Sequence, residues 1–345
     1  MATNKSMFGY SGLIPAVERG EDLFDSKLSK EADIVSGIYL LLIGVLSTVG
    51  NGYVLLTACR RKKKLRPAEI MTINLAFCDL GISGKMAGKP FCIVSFLSHR
   101  WVFGWSLCQW YGWTGFFFGC GSLTTMTVVS FDRYMKICHL RYGTWLKRRH
   151  AFISLICIWI YASFWATLPL VGVGNYAPEP FGTSCTLDWW LAQASLRGKV
   201  FVVSILFFCL VFPTAIIVFS YAKIICKVKS SAEEVAHFDA SNQKNNSLEI
   251  RLTKVAMLIC VGFLIAWIPY AVVSIWSAFG RPDSVPIEVS VIPTLLAKSS
   301  AMYNPIIYQI IDCKFLCVKS AKSLQKSNSR IYTISQYRRS LPLAD

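Results

Sequence analysis

The sequence predicts an all-α membrane protein folded as a bundle of seven transmembrane helices, and three observations predict it. Seven apolar runs are each long enough for a helix to cross a hydrocarbon core, which takes about 20 residues. Only 16% of the 345 residues are charged and 54% are hydrophobic, and mean hydropathy is +0.47; a soluble domain draws about 25% of its residues from the charged set. Basic residues concentrate in alternate connections between the runs, as the positive-inside rule requires. The net charge of +17, from 36 Lys+Arg against 19 Asp+Glu, is therefore a topology signal, and no nucleic-acid partner is expected. The apolar fraction and the length exclude a disordered chain and a small disulfide scaffold.

Residues 1–33 are polar and acidic and form an extracellular N-terminal segment without a secretory signal. The spans follow at 34–59, 69–97, 106–135, 150–174, 199–226, 250–278 and 287–311, so the bundle covers 34–311. None alternates with the two-residue period of a barrel strand. The connection after the first span holds Arg60, Arg61, Lys62, Lys63, Lys64 and Arg66, whereas the next holds Arg100 alone. The connections after spans one, three and five and the C-terminal segment are the basic ones, which puts the N-terminus outside and the C-terminus in the cytoplasm. Residues 312–345 then form a short amphipathic cytoplasmic helix and a tail. Asn4-Lys5-Ser6 is an N-glycosylation sequon on the outer side.

Most of the 13 cysteines lie within spans, where they behave as small apolar residues. Cys108, at the outer start of span three, and Cys185, in the outer connection after span four, both face the oxidising side and can bridge. Cys313 and Cys317 follow the last span; they are either palmitoylation sites or free thiols on a short helix.

Ionisable groups inside a bilayer are costly and mark function. Span two carries Asp79, Lys85 and Lys89; span three ends in Asp132-Arg133-Tyr134; span seven carries Lys298 near its centre and closes in Asn304-Pro305-Ile306-Ile307-Tyr308. Gly50-Asn51, Leu75-Ala76-Phe77-Cys78-Asp79, Trp159, Pro213 and Trp267-Ile268-Pro269 complete one set per span, in order. Across nearly all of 34–316 the chain resembles the rhodopsin class of G-protein-coupled receptors. Within that class, Leu296-Ala297-Lys298-Ser299-Ser300-Ala301-Met302-Tyr303-Asn304-Pro305 resembles the opsins, whose span-seven lysine binds retinal. Residues 61–70 and 179–190 are similar to the neuropsins, a short-wavelength non-visual group.

From residue chemistry alone, Lys298 is either paired with a carboxylate or a covalent ligand site: in its neutral form a buried amine attacks an aldehyde to give a Schiff base. The resemblance favours the second reading, with retinal as cofactor, 11-cis in darkness and all-trans after light. It implies pocket walls of Tyr111, Gly115, Phe116, Gly119, Trp267, Tyr270, Ala271 and Thr294. A protonated Schiff base needs a counterion. Visual opsins of vertebrates place a glutamate where this sequence has Tyr111, so the candidate here is Glu179, six residues before Cys185, with Asp188 second. A second ammonium near the Schiff base disfavours its protonation, which implies ultraviolet or violet absorption. Because the stretch from Asp79 to Cys108 is about two residues longer than usual, and two residues turn a helix face by about 200°, either Lys85 or Lys89 faces the pocket.

On the inner side, the resemblance implies a switch in which Arg133 pairs with Asp132 and with Glu249, and Tyr221 and Tyr308 turn toward Arg133 on activation. Glu249 equally suits a solvated helix start. Asp79, Asn51 and Asn304 resemble the cluster that can hold sodium in this class; no other metal is expected. The implied function is a light-sensitive, bistable plasma-membrane receptor, not an enzyme. Its implied partners are a heterotrimeric G protein of the inhibitory class, and arrestin and a receptor kinase at the tail. Two alternatives remain: a retinal photoisomerase on the same fold, and a receptor for a diffusible anionic ligand.

Overall fold

The computed structural model describes residues 22–60, 64–83, 89–139, 147–234, 243–281 and 284–308, with side chains omitted at 231–234 and 243–249. Helix α1 spans Lys30–Cys59 and starts where the Ser29 hydroxyl caps the Ala32 N–H at 3.2 Å, with Glu31 and Asp33 in the first turn. Its inward face holds Ser36, Gly37, Leu40, Ser47 and Asn51, while Val35, Leu42, Leu46 and Val49 point outward. Apolar residues outside and small or polar ones inside is the arrangement lipid imposes.

Helix α2 (Pro67–Ser83) and helix α3 (Lys89–Leu97) are the described parts of the span expected over 69–97; residues 84–88 lie outside the described residues. Pro90, in the first turn of α3, has no N–H to donate and suits a helix start. Helix α4 (Gly104–Cys138) is the central one, far more buried than the other long spans among the described residues. Helix α5 (Arg148–Thr167) runs into a 3₁₀ turn at Leu168–Val171. The outer connection then forms an antiparallel hairpin, β1 (Tyr176–Pro178) with β2 (Cys185–Leu187), pairing Ala177 with Thr186.

After the short α6 (Leu191–Ala194), span five consists of α7 (Leu196–Leu206), a π-helical stretch at Phe207–Val211 and α8 (Phe212–Glu234). The sequence places a kink at Pro213; the structure places a widened turn just before it, where the missing Pro213 N–H breaks the regular ladder. Helix α9 (Gln243–Phe279) contains Pro269, and α10 covers 287–308. Five of the described helical spans are each long and apolar enough to cross a membrane; the span-two pair and α10 complete the seven.

Polar bonds tie the bundle together. The Asn74 amide donates to the Thr125 hydroxyl at 2.8 Å and its carbonyl accepts from the Trp159 indole at 3.0 Å, joining α2, α4 and α5. Gly50 lets α1 approach α10, since a Cβ there would lie 2.6 Å from the Pro305 ring. The chain divides into compact units at 1–305 and 306–345; of the second, the described residues 306–308 are helical.

Candidate functional site

Beneath the β1–β2 hairpin lies a cavity between α3, α4, α7, the π stretch, α9 and α10. Lys298 enters it from α10. Its Nζ donates to the Tyr111 hydroxyl at 3.0 Å and to the Ser184 hydroxyl at 3.2 Å, and lies 5.2 Å from the Tyr111 ring centroid. Ser184 is fully buried and donates to Tyr111 at 3.5 Å. It holds the amine nearly as closely as Tyr111 does, and sequence reasoning missed it. Its position beside Cys185 was the available signal.

All the wall positions expected from the sequence line this one cavity: Tyr111, Gly115, Phe116, Gly119, Trp267, Tyr270, Ala271 and Thr294. A Cβ built on Gly115 would meet nothing within 4 Å, and one on Gly119 would meet the Trp267 ring at 3.7 Å. These two glycines open a slot along α4. Trp267 is held by its indole N–H on the Ser300 hydroxyl at 3.0 Å and stacks on Phe263 at 5.4 Å. Further wall residues are Ile82, Cys120, Leu123, Leu187, Trp189, Ile205, Cys209 and Phe263. Their apolar character does not separate them from lipid-facing residues in the sequence.

Glu179 sits on the hairpin turn, 6% exposed, and also lines the cavity. Its N–H donates to the Ser184 carbonyl at 2.7 Å, which fixes Glu179 and Ser184 relative to each other. Its Oε1 accepts from the Tyr270 hydroxyl at 3.3 Å, and that hydroxyl is also bonded to Thr186 at 2.6 Å. Among the described residues, Glu179 makes no hydrogen bond or ion pair with Lys298; its charge acts across the cavity. Burial pushes its carboxyl up from the usual range to about 7, with the Lys298 charge and the Tyr270 bond pulling the other way. Asp188 is fully buried but caps the Leu191 N–H at 3.2 Å and is not among the cavity wall residues. Of the two carboxylates expected, Glu179 alone faces the site.

The hairpin is pinned from two sides. Cys108 and Cys185 form a disulfide joining α4 to β2. Gly182, at φ +83°, packs on the segment before α1, where any Cβ would lie 2.0 Å from the Asp25 carbonyl oxygen.

Lys89 lies on the first residue of α3, 2% exposed, and lines the same cavity. Its Nζ donates to the Ser83 hydroxyl at 3.1 Å, which is bonded to Ser47 at 2.7 Å. Lys85 lies outside the described residues. Below this, Asp79 accepts from Asn304 Nδ2 at 2.7 Å, and Asn51 Nδ2 donates to the Ala301 carbonyl at 2.8 Å. Asp79 and Asn51 therefore share a region but not a direct bond. Among the described residues, no group of three or more His, Cys, Asp or Glu is placed to hold a metal ion.

At the inner end, Arg133 is 2% exposed and donates to Asp132 at 2.6 Å; Lys136 reaches the same oxygen at 2.8 Å. Tyr221 is buried nearby, its hydroxyl 3.9 Å from the Cys260 thiol, which in turn meets Ser130 at 3.5 Å. The Glu249 side chain, Asn4, Cys313, Cys317 and the tail lie outside the described residues. Pro305 and Tyr308 lie in the last turns of α10.

The family described as 7 transmembrane receptor (rhodopsin family) matches residues 50–308. Opsin-5 of Mus musculus is 67% identical over 345 residues, covering 99% of this chain and 91% of that protein. The chain belongs to the opsins. Opsin-5 of Homo sapiens is 66% identical, with 99% and 97% covered, so the similarity runs to the neuropsin group that the sequence motifs indicate. The human visual pigment-like receptor peropsin is 33% identical over 295 residues, 84% of each chain. A crystal structure of squid rhodopsin superposes with a TM-score of 0.76 at 29% identity, covering 90% of this chain and 89% of that one. This opsin is thus a light-sensing receptor, multi-pass in the plasma membrane, working through a G protein and not an enzyme. Opsins imply a retinal chromophore. The cavity fits one: an amine projects into a mainly apolar space, with a slot where Gly115 and Gly119 carry no side chain.

Proposed function

We propose that this opsin binds retinal covalently on Lys298, absorbs in the ultraviolet or violet, is bistable, and signals to a G protein of the inhibitory class. The observation that carries it is the Lys298 amine inside an apolar cavity, held by Tyr111 at 3.0 Å and Ser184 at 3.2 Å. Retinal supplies an aldehyde that condenses with the amine, losing water, and a polyene that light converts from 11-cis to all-trans. The protein's own residues do the rest. Tyr111 and Ser184 orient the nitrogen with hydroxyls, which serve either protonation state because each both donates and accepts. Glu179, fixed by its backbone bond to Ser184 and by Tyr270, is the counterion when the nitrogen is charged. Gly115 and Gly119 make room for the polyene, and Trp267 closes the end of the slot.

Lys89 lines the same cavity, and its charge opposes a second positive charge at Lys298. This favours an uncharged nitrogen and supports the short-wavelength reading; Lys85 is the other candidate for the role. On the cytoplasmic side the Arg133–Asp132 pair is the resting lock, with Glu249, Tyr221, Asn304, Pro305 and Tyr308 as the remaining switch positions. The intact lock supports signalling over a photoisomerase role. The oxidised Cys108–Cys185 pair at one end and the basic connections at the other support an extracellular N-terminus and a cytoplasmic C-terminus. Asn4 as glycosylation site, Cys313 and Cys317 as lipidation sites, and arrestin and receptor-kinase contacts at the tail belong to the same reading.

The test is the dark spectrum of the purified protein after addition of 11-cis retinal, repeated after light and with Lys89→Ala. An ultraviolet band that photoconverts reversibly, and that moves into the visible in Lys89→Ala, is expected. An unchanged ultraviolet band in that variant removes Lys89 from the tuning role, and no band in the unmutated protein rejects the function.

A further inference from the structure

The resemblance implies a sodium site at Asp79, Asn51 and Asn304. One Asp79 oxygen is taken by Asn304 at 2.7 Å. Asn51 spends its amide on the Ser47 and Ala301 carbonyls, at 3.0 and 2.8 Å. Ser47 and Ser83 bond each other at 2.7 Å, and Ser47 also donates to Ala301 at 3.0 Å. Lys89 then adds an ammonium: its stem runs past Gly44 of α1, where a Cβ would touch Lys89 Cδ at 3.5 Å, and its Nζ reaches Ser83 at 3.1 Å. Lys89 is 2% exposed and, among the described residues, no carboxylate lies within ion-pair distance of it. The acidic group that acts on it is Asp79, itself 2% exposed.

A sodium ion needs several oxygens and a net negative site. Here the Ser83 hydroxyl already accepts from an ammonium, and through Ser47 it joins Asn51 of the cluster, so a second cation beside it meets like-charge repulsion in a low-dielectric interior. With the Lys89 ammonium in place, the cluster does not fit sodium. We propose that the Lys89 ammonium is the resident cation of the Asp79 cluster, reaching it through the Ser83–Ser47 hydroxyl pair, so that this receptor is blind to sodium. The same side chain lines the ligand cavity, and the relay through Ser83 and Ser47 to the Ala301 carbonyl connects that cavity to α10 one turn before Asn304. Lys89 thereby couples cavity and switch region by a fixed charge where a mobile ion would otherwise bind.

The test uses the full-length protein, without retinal and with it, melted in sodium chloride and in choline chloride at about 150 mM, near physiological ionic strength. The unmutated protein is expected to melt at the same temperature in both salts. Lys89→Met vacates the ammonium position and leaves Asn51 Oδ1, which is buried and has no hydrogen-bond partner among the described residues, as an oxygen open to a cation. It is expected to gain a sodium-specific rise of about 2–4 °C. The rise should vanish in Lys89→Met combined with Asp79→Asn, and Lys89→Arg should stay blind. A sodium-specific rise in the unmutated protein overturns the proposal, as does a folded Lys89→Met without one. If Lys89→Met does not fold, Lys89→Gln, which keeps a donor for Ser83, takes its place with the same two outcomes. None of these readings depends on light activation, so they stand apart from the spectral role of Lys89.

Discussion

Gly115 separates a binding role from a packing role cleanly, because the two respond to one substitution with opposite signs. It sits inside α4 and lines the cavity, and nothing lies within 4 Å of where its Cβ would be. Gly115→Leu therefore meets no protein atom at its Cβ, and it removes a glycine from a helix interior, worth about 0.8–1 kcal/mol in favour of the variant. The apoprotein is expected to melt at the same temperature or a few degrees higher. The added side chain fills the slot that the chromophore needs, and overpacking of a fitted site costs about 1–3 kcal/mol, a loss of about 5- to 150-fold in retinal affinity. The assay is uptake of 11-cis retinal by purified apoprotein, read as pigment formed per protein, beside thermal melting of the same sample. Gly112→Ala is the control: its Cβ would lie 2.6 Å from the Tyr176 ring, so stability should fall. Uptake by Gly115→Leu equal to that of the unmutated protein refutes the assignment of the slot.

Three further outcomes follow from particular contacts. Replacing Cys108 and Cys185 by serine opens a crosslink between residues 77 apart in sequence and should cost about 4 kcal/mol, seen as an earlier denaturation midpoint and loss of pigment yield. Asn304→Ala removes the donor 2.7 Å from the buried Asp79 carboxylate and should cost about 1–3 kcal/mol in thermal unfolding. For Glu179, whose carboxyl rises from 4.5 to about 7 on folding, the folded apoprotein holds a proton that the unfolded chain has released. Apoprotein stability should therefore fall as pH rises from about 4.5 to 7, by about 3 kcal/mol in all, and stay level above; Glu179→Gln should lack this slope in melts taken across that range.

The seven spans were legible in the sequence because lipid demands long apolar runs and the basic connections alternate. What interrupts those runs was less visible. The π turn at Phe207–Val211 is a local departure within uniformly apolar sequence, marked only by Pro213. The pocket walls came from resemblance rather than periodicity, for a physical reason: in a membrane bundle, lipid-facing residues such as Leu42 and Ile160 are as apolar as cavity-facing ones such as Leu123 and Ile205. Lys298 and Lys89 stood out because charge inside a span is rare. Ser184 did not, because a serine in an outer loop is ordinary; its role comes from the hairpin and the disulfide that fold the loop over Lys298.

The central claim is that Lys298 carries the chromophore, and reductive trapping tests it most directly. The purified pigment, regenerated with 11-cis retinal, is treated with borohydride in darkness, digested, and searched by mass spectrometry for a retinyl adduct. One adduct is expected, on the peptide containing Lys298, and none in Lys298→Ala. An adduct on Lys89 or Lys85 instead, or no adduct from a protein that forms its pigment, would contradict the claim.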